Sequence, residues 1–581
     1  MSQRGIAGRG GGLFDDPGQD GLMHRAFLRG GGFSAEEVRS RPVIGIANSA
    51  SDLNPCNMGL ALLVKEVKRG VKAAGGLPLE FPTISISEPF TRPTSLYLRN
   101  LMSMDVEEMI SVSPIDGVVL MGGCDKTVPA QIMGAISAGK PSVMVTAGPR
   151  PVSCHRGNAS VTVDDAWPFC DRRRVGEVDD QEWLEFEGNL NVGVGTCNVM
   201  GTASTMAAIA EVLGFALPGS SLAEAGSAER RRIAYETGIE AVAAVQRGQA
   251  PRGLISMDSL ENAFRAVMAL GGSTNSVIHL EAFAGRAGLQ IGIEKLQTWS
   301  RDTPYLTNVL PGGEYTLPDF AEAGGLAGVL VRIRDLLKLD THTARGTKWR
   351  DELSAVSAVE NTVIRERTAP EAKRSSLVML KGNLAPNGAV LKTAGAEDPR
   401  FFKHRGRVVV FDGLDDLNDR IDDPELDVNA DSILVLRGLG AVGAPGMPEV
   451  GHIPIPAKLH RQGVTEMVRL SDARMSGTST GVVVLHISPE AAVGGPIAYL
   501  QDGDEVRLDA ETGCLEHFVD DQEFASRKPF RPADPPTRGF AKLHVSHVLQ
   551  PEYGCDFDFL REPSAPIAQQ LTSQYQHKAE G

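Results

Sequence analysis

Hydrophobic residues in the first half of the chain alternate between short apolar runs and longer stretches with a helical period. Three runs are almost wholly apolar and predict buried strands, at residues 42–49, 116–123 and 141–148. The helical stretches predict helices over residues 58–74, about 129–138, 202–213 and 259–270. Strands that alternate with helices predict βαβ units, and therefore a mainly parallel sheet flanked by helices.

Two of these helices carry further sequence detail. Asp258 with Glu261 resembles the capping box that begins a helix, which would place the start of the last helix at this point. In the first helix Gly75 and Gly76 end the pattern. Its predicted buried stripe consists of Leu60, Leu63, Val64, Val67 and Val71.

The pattern changes beyond a polar, charged segment at residues 340–376. Short strands separated by glycine-rich turns follow, at residues 377–380, 407–411, 432–437, 481–487 and 504–509. We therefore expect an α/β protein with an α/β domain at residues 34–373 and a smaller, β-barrel-like domain at residues 374–581. The glycine-rich residues 1–33 are expected to be a loose N-terminal arm that becomes ordered only against something else.

Composition and charge narrow the class of protein. Hydrophobic residues make up 42% of the 581 residues and charged residues 23%, which excludes a mostly disordered chain. The net charge of −15 argues against binding to nucleic acid or an anionic membrane. No apolar run approaches the roughly 18 residues that span a bilayer, and the N-terminus lacks the apolar core of a signal peptide. We expect a cytoplasmic protein with a small-molecule partner and reduced thiols.

Gly438, Gly440 and Gly443 match the pattern GxGxxG directly after the predicted strand 432–437. A dinucleotide site needs a helix at this point, because its N-terminus holds the pyrophosphate. Prolines at 445, 448, 454 and 456 oppose such a helix. The pattern is therefore interpreted as a glycine-rich turn or active-site loop.

Three of the seven cysteines share a local context. Cys56 and Cys124 each follow a predicted strand and precede a helix, and Cys197 precedes the helix at 202. In a parallel sheet, ligand sites lie at the carboxyl ends of the strands, and helix N-termini favour thiolates. Two interpretations stay open at this point: three buried structural residues, or three ligands that the fold brings together. Cys154, Cys170, Cys514 and Cys555 lack this context.

Carboxylates and a lysine form a second set of candidates. Asp125 and Lys126 directly follow Cys124, Glu88 lies in a polar loop, and Glu449 lies in a proline-rich loop. Oxygen ligands of this kind suit Mg²⁺, although a single carboxylate in a loop is usually solvated. Lys126 is open to three interpretations: an ion pair with Asp125, a neutral nucleophile, or a carbamate that acts as a ligand.

A serine-rich loop at residues 471–481 supplies the third candidate. Ser476 is followed by Gly477 and Thr478, so the backbone can approach a substrate closely. No His–Asp pair lies near it and the pattern GxSxG is absent, which argues against an ordinary hydrolase triad. A plain serine-rich turn is the alternative.

Taken together, these strings resemble the dihydroxyacid and sugar-acid dehydratase family (the IlvD/Edd family). The resemblance covers roughly residues 40–560, and eight motifs in the family's order are far more specific than a lone GxGxxG. They are PCN at 55–57, GCDKTVP at 123–129, TCNVMGTASTM at 196–206, GGSTN at 271–275, GNLAPNGAV at 382–390, PGMPEVG at 445–451, SDARMSGT at 471–478 and SPEAAVGGP at 488–496.

The resemblance implies an α/β domain and a β-barrel-like domain with the active site between them. It implies an iron–sulfur cluster, a Mg²⁺ ion and a homodimer or homotetramer with the site near a subunit interface. The motifs alone fit a 2Fe–2S and a 4Fe–4S cluster, and we expect the former. Matched by motif, the implied cluster ligands are Cys56, Cys124 and Cys197. The implied Mg²⁺ ligands are Glu88, Asp125, Glu449 and Lys126, the last as its carbamate. The implied catalytic base is Ser476.

The implied reaction is loss of water from a 2,3-dihydroxy carboxylic acid to give a 2-oxo-3-deoxy acid. The motifs look more like the branch that acts on aldonic acids, such as arabinonate or xylonate, than the branch of valine and isoleucine synthesis. The segment 150–195 matches neither branch well and could wall the substrate pocket. Other classes are a non-catalytic or electron-transfer iron–sulfur protein, with Cys154 or Cys170 as fourth ligand, and a cluster-free binding protein.

Overall fold

A four-stranded parallel sheet organises the N-terminal half of the computed structural model, which describes residues 12–372, 375–394, 396, 398–479 and 481–563. Its strands are β1 (Val43–Asn48), β2 (Leu77–Pro82), β3 (Gly117–Gly122) and β4 (Ser142–Thr146), in the order β2-β1-β3-β4. The three predicted strands are confirmed, since they are β1, β3 and β4. The additional strand β2 lies at the edge of this sheet, where its two prolines are tolerated.

Helices surround this sheet on both sides, as the alternating pattern predicts. The helix Leu60–Ala73 packs along Ala228–Arg247, and Leu96–Val112 packs along Thr127–Ala138. The helices of this half are α1 (Gln19–Gly30), α2 (Ala35–Ser40), α3 (Leu60–Ala73), α4 (Leu96–Val112), α5 (Thr127–Ala138), α6 (Ala166–Arg174), α7 (Asp180–Leu190), α8 (Thr202–Val212), α9 (Ala228–Arg247), α10 (Pro251–Leu254), α11 (Met257–Leu270), α12 (Asn275–Arg286), α13 (Ile293–Asp302), α14 (Leu317–Glu322), α15 (Gly325–Arg332) and α16 (Trp349–Ser354).

The prediction of the buried face of α3 is confirmed, whereas the prediction of the start of α11 is wrong. All five residues of the predicted α3 stripe are buried. The predicted cap of α11 is wrong, because Ser256 and Ser259 form the capping box, with Ser256 Oγ accepting from Ser259 N at 3.1 Å. Glu261 instead accepts a hydrogen bond from Arg265 Nε at 2.9 Å, one turn further along the helix.

A nearly closed eight-stranded sheet forms the C-terminal half, in the order β14-β13-β9-β10-β11-β12-β8-β7. The four central neighbours β9 to β12 run parallel, and the remaining pairs are antiparallel. Hydrogen bonds of Lys381 to Gly513 and Leu515, at 2.8 and 2.9 Å, join the two edges, which confirms the barrel-like prediction. The strands are β7 (Leu377–Leu380), β8 (Gly388–Lys392), β9 (Lys403–Asp412), β10 (Ile433–Arg437), β11 (Arg469–Ser471), β12 (Val483–Ser488), β13 (Glu505–Asp509) and β14 (Cys514–His517).

Short helices lie between the strands of the barrel-like sheet and after it. They are α17 (Gly413–Arg420), α18 (Ala457–His460), α19 (Asp521–Ser526) and α20 (Gly539–His547). Short 3-10 helices lie at Val163–Asp165, Pro399–Phe402, Ala491–Val493, Pro496–Tyr499, Pro551–Tyr553 and Asp558–Leu560. The predicted domain boundary at residues 373 and 374 falls outside the described residues.

The described part of the predicted N-terminal arm differs from the expectation. Residues 12–33 contain α1, while residues 1–11 lie outside the described part. Phe14 is buried in the core of the α/β half, and Arg25 donates to the carbonyls of Phe14 and Asp16 at 2.9 and 2.8 Å. One buried aromatic ring thus orders this segment against the chain's own surface.

The segment at residues 150–195 forms a small unit beside the sheet. It consists of the hairpin β5 (Ser153–His155) and β6 (Asn158–Val161), followed by α6 and α7. Val161, Phe169, Val178 and Phe186 form its own apolar core. The unit is therefore positioned as one piece, and it carries Asp164 and Trp167 toward the C-terminal half.

The glycine-rich loop after β10 lacks the helix that a dinucleotide site requires. Residues 438–456, all of them described, form no helix. Asp472 accepts hydrogen bonds from the backbone N–H groups of Gly438 and Leu439, each at 3.0 Å. Glu490 does the same for Val442 and Gly443. The backbone donors that a phosphate would need are thus engaged by the protein's own carboxylates. Among the described residues, no helix is long and apolar enough to cross a membrane.

Candidate active site

Three carboxylates from both halves of the chain meet at one point. Glu88 follows β2, Asp125 follows β3, and Glu449 lies in the loop after β10. One oxygen from each lies within 4.8 Å of the others. Because carboxylate oxygens are the ligands that Mg²⁺ prefers, this set can hold a divalent cation.

Lys126 lies at the centre of these carboxylates. Its Nζ is 3.2 Å from Glu449 Oε1 and 3.8 Å from Glu88 Oε2, and it donates a hydrogen bond to Asp125 Oδ2. The side chain is fully buried. Burial alone would lower the pKa of Lys126, but the carboxylates, with Asp125 first, raise it above its ordinary value. As an ammonium group, this lysine neutralises part of the charge that a metal ion would otherwise balance.

Burial and neighbouring charges shift the pKa values of Glu88 and Glu449 in opposite directions. Burial raises the pKa of Glu449, and its attraction to Lys126 does not offset this. Burial opposes ionisation of Glu88 as well, but Lys126 and Arg474, with hydrogen bonds from Ser95 and Thr94, hold its pKa below the ordinary value. Glu88 is therefore the more readily ionised of the two.

Two residues that the sequence did not single out support Glu449. Asn275 Nδ2 donates to Glu449 Oε1 at 3.0 Å and also to the carbonyl of Met475 at 3.1 Å. Arg474 Nη1 lies 2.5 Å from the same oxygen and donates to Asn275 Oδ1 at 2.7 Å. Asn275 lies in the motif GGSTN and Arg474 in SDARMSGT, so their place in these motifs is the sequence signal that could have identified them.

The three candidate cysteines lie beside the carboxylates. Cys56 and Cys124 are buried and Cys197 is half-buried, and Asn57 Oδ1 holds the Gly123 and Cys124 N–H groups at 2.9 Å each. A hydrogen bond from Cys124 lowers the pKa of Cys56, and the same bond together with burial raises the pKa of Cys124. Burial raises the pKa of Cys197 to about 12, against the attraction of the nearby Arg150 cation.

The three cysteines and the three carboxylates lie next to each other. Cys124 Sγ lies 3.4 Å from Asp125 Oδ1, and the charges of Cys56 and Asp125 both act on Cys197. Cys154 and Cys170 differ, because both are exposed in the segment at 150–195. The structure thus brings the three predicted thiols to one region, next to the predicted Mg²⁺ ligands.

The serine loop lies against the N-terminus of α8, which follows Cys197. Ser476 Oγ is 2.9 Å from Thr478 Oγ1, and Trp167 Nε1 donates to that same threonine oxygen at 3.0 Å. A Cβ on Gly477 would lie 2.6 Å from Thr202 N, so any larger residue would force the loop to shift. Lys392 Nζ donates to the carbonyls of residues 477 and 479 at 3.0 and 2.8 Å. The loop is therefore fixed from both sides.

Comparison with known protein families identifies the class of protein. The family model described as dihydroxy-acid/6-phosphogluconate dehydratase N-terminal matches residues 41–352, and the corresponding C-terminal model matches residues 362–555. The chain therefore belongs to the dihydroxy-acid/6-phosphogluconate dehydratase family, which confirms the resemblance seen in its motifs. It is an enzyme of the dehydratase type, a hydro-lyase.

Individual relatives of known name share most of the chain. An L-arabinonate dehydratase from Rhizobium leguminosarum is 43% identical and covers 94% of each chain. A 6-deoxy-6-sulfo-D-gluconate dehydratase from Pseudomonas putida is 41% identical over 94% of this chain and 96% of its own. A dihydroxy-acid dehydratase from Saccharolobus islandicus is 33% identical over 91% and 96%. The chain is thus similar to sugar-acid dehydratases and, at lower identity, to a dihydroxy-acid dehydratase.

Proposed function

We propose that this enzyme dehydrates a sugar acid, a 2,3-dihydroxy carboxylic acid of the aldonate type, to its 2-oxo-3-deoxy acid with an iron–sulfur cluster and Mg²⁺. The observation that carries the proposal is the contact between two unlike ligand sets, with Cys124 Sγ 3.4 Å from Asp125 Oδ1. Soft thiolates suit iron, and hard carboxylates suit magnesium. Names of the similar enzymes, arabinonate and sulfogluconate dehydratases, support the sugar-acid branch.

The thiol set fits an iron–sulfur cluster. Cys56, Cys124 and Cys197 would hold it, and dehydratases of this family generally use such clusters. Arg150 supplies positive charge beside Cys56 and Cys197, which favours the thiolate form that binds iron. Three protein ligands would leave one iron available as a Lewis acid for the substrate, and the exposed positions of Cys154 and Cys170 support neither as a fourth ligand. A 2Fe–2S cluster is our preference.

The carboxylate set fits Mg²⁺. Glu88, Asp125 and Glu449 would supply oxygen ligands, and Lys126, converted to its carbamate, would add another in place of its positive charge. That conversion matters physically, because an ammonium group at this point repels a divalent cation, whereas a carbamate attracts it. Arg474 and Asn275 keep Glu449 oriented toward the site.

The two bound groups would supply a Lewis acid for the departing 3-hydroxyl and positive charge beside the substrate carboxylate and 2-hydroxyl. Ser476 acts as its alkoxide, whose negative charge the bound cation would stabilise. Its Oγ takes the proton from C2, the C–O bond at C3 breaks as the C2–C3 double bond forms, and the departing hydroxide takes the proton from Ser476 and leaves as water. The enol then gains a proton at C3, loses the proton of its 2-hydroxyl and becomes the 2-oxo acid. Thr478 holds Ser476 Oγ in place through a hydrogen bond between the two hydroxyls.

The alternative substrate is the branched dihydroxy acid of valine and isoleucine synthesis, which the 33% identical relative favours. A panel assay separates the two: anaerobically purified enzyme with Mg²⁺ is given L-arabinonate, D-xylonate, D-gluconate and 2,3-dihydroxyisovalerate, and release of 2-oxo acid is measured. We expect turnover of one or more aldonates. Turnover of the branched acid alone would overturn the sugar-acid assignment, and no turnover of any acid would overturn the proposed reaction.

Assembly and location complete the proposal. We expect a homodimer or homotetramer in the cytoplasm, acting on a small molecule and binding neither nucleic acid nor membrane. The net charge of −15 supports the last point. Analytical ultracentrifugation of the purified enzyme measures the oligomeric state directly.

A further inference from the structure

A cavity with both polar and apolar lining opens between the segment at 150–195 and the C-terminal half, next to the serine loop. Its volume is about 400 Å³. Asp164 and Trp167 line it from one side and Thr478 from the other. The remainder of its wall is mostly charged or imidazole side chains, among them Asp171, Arg172, His452, His460 and Arg469. These side chains can form hydrogen bonds with the hydroxyls of a polyhydroxylated chain, whereas an aliphatic chain would displace water from them without replacing its hydrogen bonds.

Asp164 is the unusual member of this wall. Both of its carboxyl oxygens are buried, and neither has a hydrogen-bond partner among the described residues. A buried polar group without a partner is costly, and native proteins rarely retain one without a reason. The neighbouring carboxylate Asp165 is different, since its Oδ2 accepts from the N–H of Thr162 at 2.8 Å.

The surroundings of Asp164 place it beside the reaction centre. Burial raises the pKa of Asp164 to about 8, and its carboxyl group lies close enough to interact electrostatically with Cys197, a proposed cluster ligand, and with Lys392, which holds the serine loop. Both hydrogen bonds of Lys392 Nζ go to backbone carbonyls, so this cation attracts Asp164 without bonding to it. Trp167, three residues further along, donates to Thr478 and thereby ties the Asp164 segment to the catalytic loop. Asp164 thus lies between the cavity and the cluster side of the site.

We propose that Asp164 is a specificity residue that forms a hydrogen bond with a hydroxyl group of the substrate beyond C3. This inference rests on the proposed function, in which the carboxylate end of the substrate lies at Glu88, Asp125 and Glu449 and the C3 hydroxyl on the cysteine side. The carbon chain then continues toward Cys197 and Asp164. A polyhydroxy acid has a hydroxyl to offer at that point, whereas a branched-chain acid has only methyl or methylene groups. The unpartnered carboxyl therefore selects the substrate class.

The test uses two acids that differ in a single hydroxyl: 2,3,4-trihydroxybutanoate and 2,3-dihydroxybutanoate. The ratio of their kcat/KM values is measured for the wild type, Asp164→Ala and Asp164→Asn, with cluster absorption recorded for each protein. We expect Asp164→Ala to lower kcat/KM for the trihydroxy acid by about 10- to 100-fold and to leave that for the dihydroxy acid nearly unchanged. Asp164→Asn, which keeps the size and one acceptor, should show a smaller loss. Glu187→Ala, on the exposed face of α7 in the same segment, is the control and should leave the ratio unchanged.

A binding measurement separates recognition from catalysis. In a Ser476→Ala background, calorimetric Kd values for the two acids should differ in the presence of Asp164 and converge in Asp164→Ala. An equal loss for both acids, or an unchanged ratio, overturns the inference, because a structural role would not distinguish one hydroxyl. If the wild type releases 2-oxo acid and the ratio does not respond, the inference alone is wrong. If the wild type turns over no acid of either kind, the proposed function fails and the inference falls with it.

Discussion

Lys126 Nζ lies 3.2 Å from Glu449 Oε1, although the two residues are 323 positions apart in the chain. This contact joins the carboxyl end of the parallel sheet to the loop after β10, so the candidate metal site exists only when both halves of the protein are folded together. Because Lys126 is fully buried among three carboxylates, its removal leaves their charge without compensation.

Lys126→Ala should abolish Mg²⁺-dependent activity. It should also lower the stability of the metal-free protein, in which Lys126 is an ammonium group, by about 3 kcal/mol, the scale for breaking a buried ion pair. The wild type incubated with ¹³C-bicarbonate and Mg²⁺ should show a carbamate signal by ¹³C NMR that the variant lacks. Lys65→Ala, an exposed position on α3, is the matched control and should behave as the wild type. Full activity of Lys126→Ala would show that the lysine is not a ligand in any form.

The cysteines should divide into two groups by their effect on bound iron. Replacing Cys56, Cys124 or Cys197 by Ser should remove most iron and sulfide and the visible charge-transfer absorption, because a hard hydroxyl binds iron poorly. Cys154→Ser and Cys170→Ser should retain both, since these side chains are exposed. Iron content and absorption of anaerobically purified proteins measure this. Cluster loss in Cys154→Ser or Cys170→Ser as severe as in Cys124→Ser would indicate four thiolate ligands.

Ser476→Ala should lower kcat by about 10²- to 10⁴-fold, the usual contribution of a general base, with iron and Mg²⁺ content unchanged. Thr478→Val removes the hydroxyl that lies 2.9 Å from Ser476 Oγ and should give a smaller decrease. Steady-state rates of 2-oxo-acid release and metal analysis of the same samples provide the measurement. Turnover of Ser476→Ala near the wild-type rate, with the cluster intact, would show that another group takes the proton.

Local pattern predicts part of the secondary structure near the site, including β1, β3 and α3. The α3 stripe is buried as predicted because the helical period alone decides which residues face the core. The edge strand β2 escaped prediction, since Pro78 and Pro82 mask its extended pattern. The cap of α11 was misplaced by two residues, because two serines and an acidic pair compete as caps within six residues.

Only those site residues that the family motifs identify could be predicted from the sequence. Glu88, Asp125 and Glu449 were matched by motif and do converge, yet no spacing rule predicts a contact across 323 residues. Asp164 shows what sequence cannot supply: it was only one acidic residue in an atypical segment. Its carboxyl group is buried without a partner because the segment that carries Asp164 and Trp167 packs against the C-terminal half, and no local pattern reveals that packing.

Gly477→Ala should impair catalysis without unfolding the protein. The added Cβ would lie 2.6 Å from Thr202 N and 3.0 Å from Gly201 Cα, which are backbone atoms that cannot rotate away. The loop must therefore shift, and Ser476 moves with it, so we expect a decrease in kcat of roughly 10- to 100-fold. Gly188→Ala on α7, where an added Cβ meets nothing within 4 Å, is the control. Wild-type kcat in Gly477→Ala would mean that the loop tolerates displacement.

Glu490 should make stability depend on pH. It is fully buried and accepts hydrogen bonds from the N–H groups of Val442 and Gly443 at 2.9 Å each. Burial, with repulsion from Asp472, raises the pKa of Glu490 from 4.5 to about 7. The unfolded chain then loses this proton at lower pH than the folded protein does. The stabilising effect is present below pH 4.5 and is lost as the pH rises to about 7.

Glu490→Gln removes this dependence, because an amide does not titrate. The difference in unfolding free energy, wild type minus variant, should therefore fall by roughly 2–3 kcal/mol between about pH 5 and pH 8. Melting temperatures of both proteins across this range measure the difference, with Glu322→Gln as the exposed control, which should follow the wild type at every pH. A difference that stays constant with pH would show that the buried carboxyl keeps its ordinary pKa, and that the N–H groups of the glycine-rich loop compensate fully for its burial.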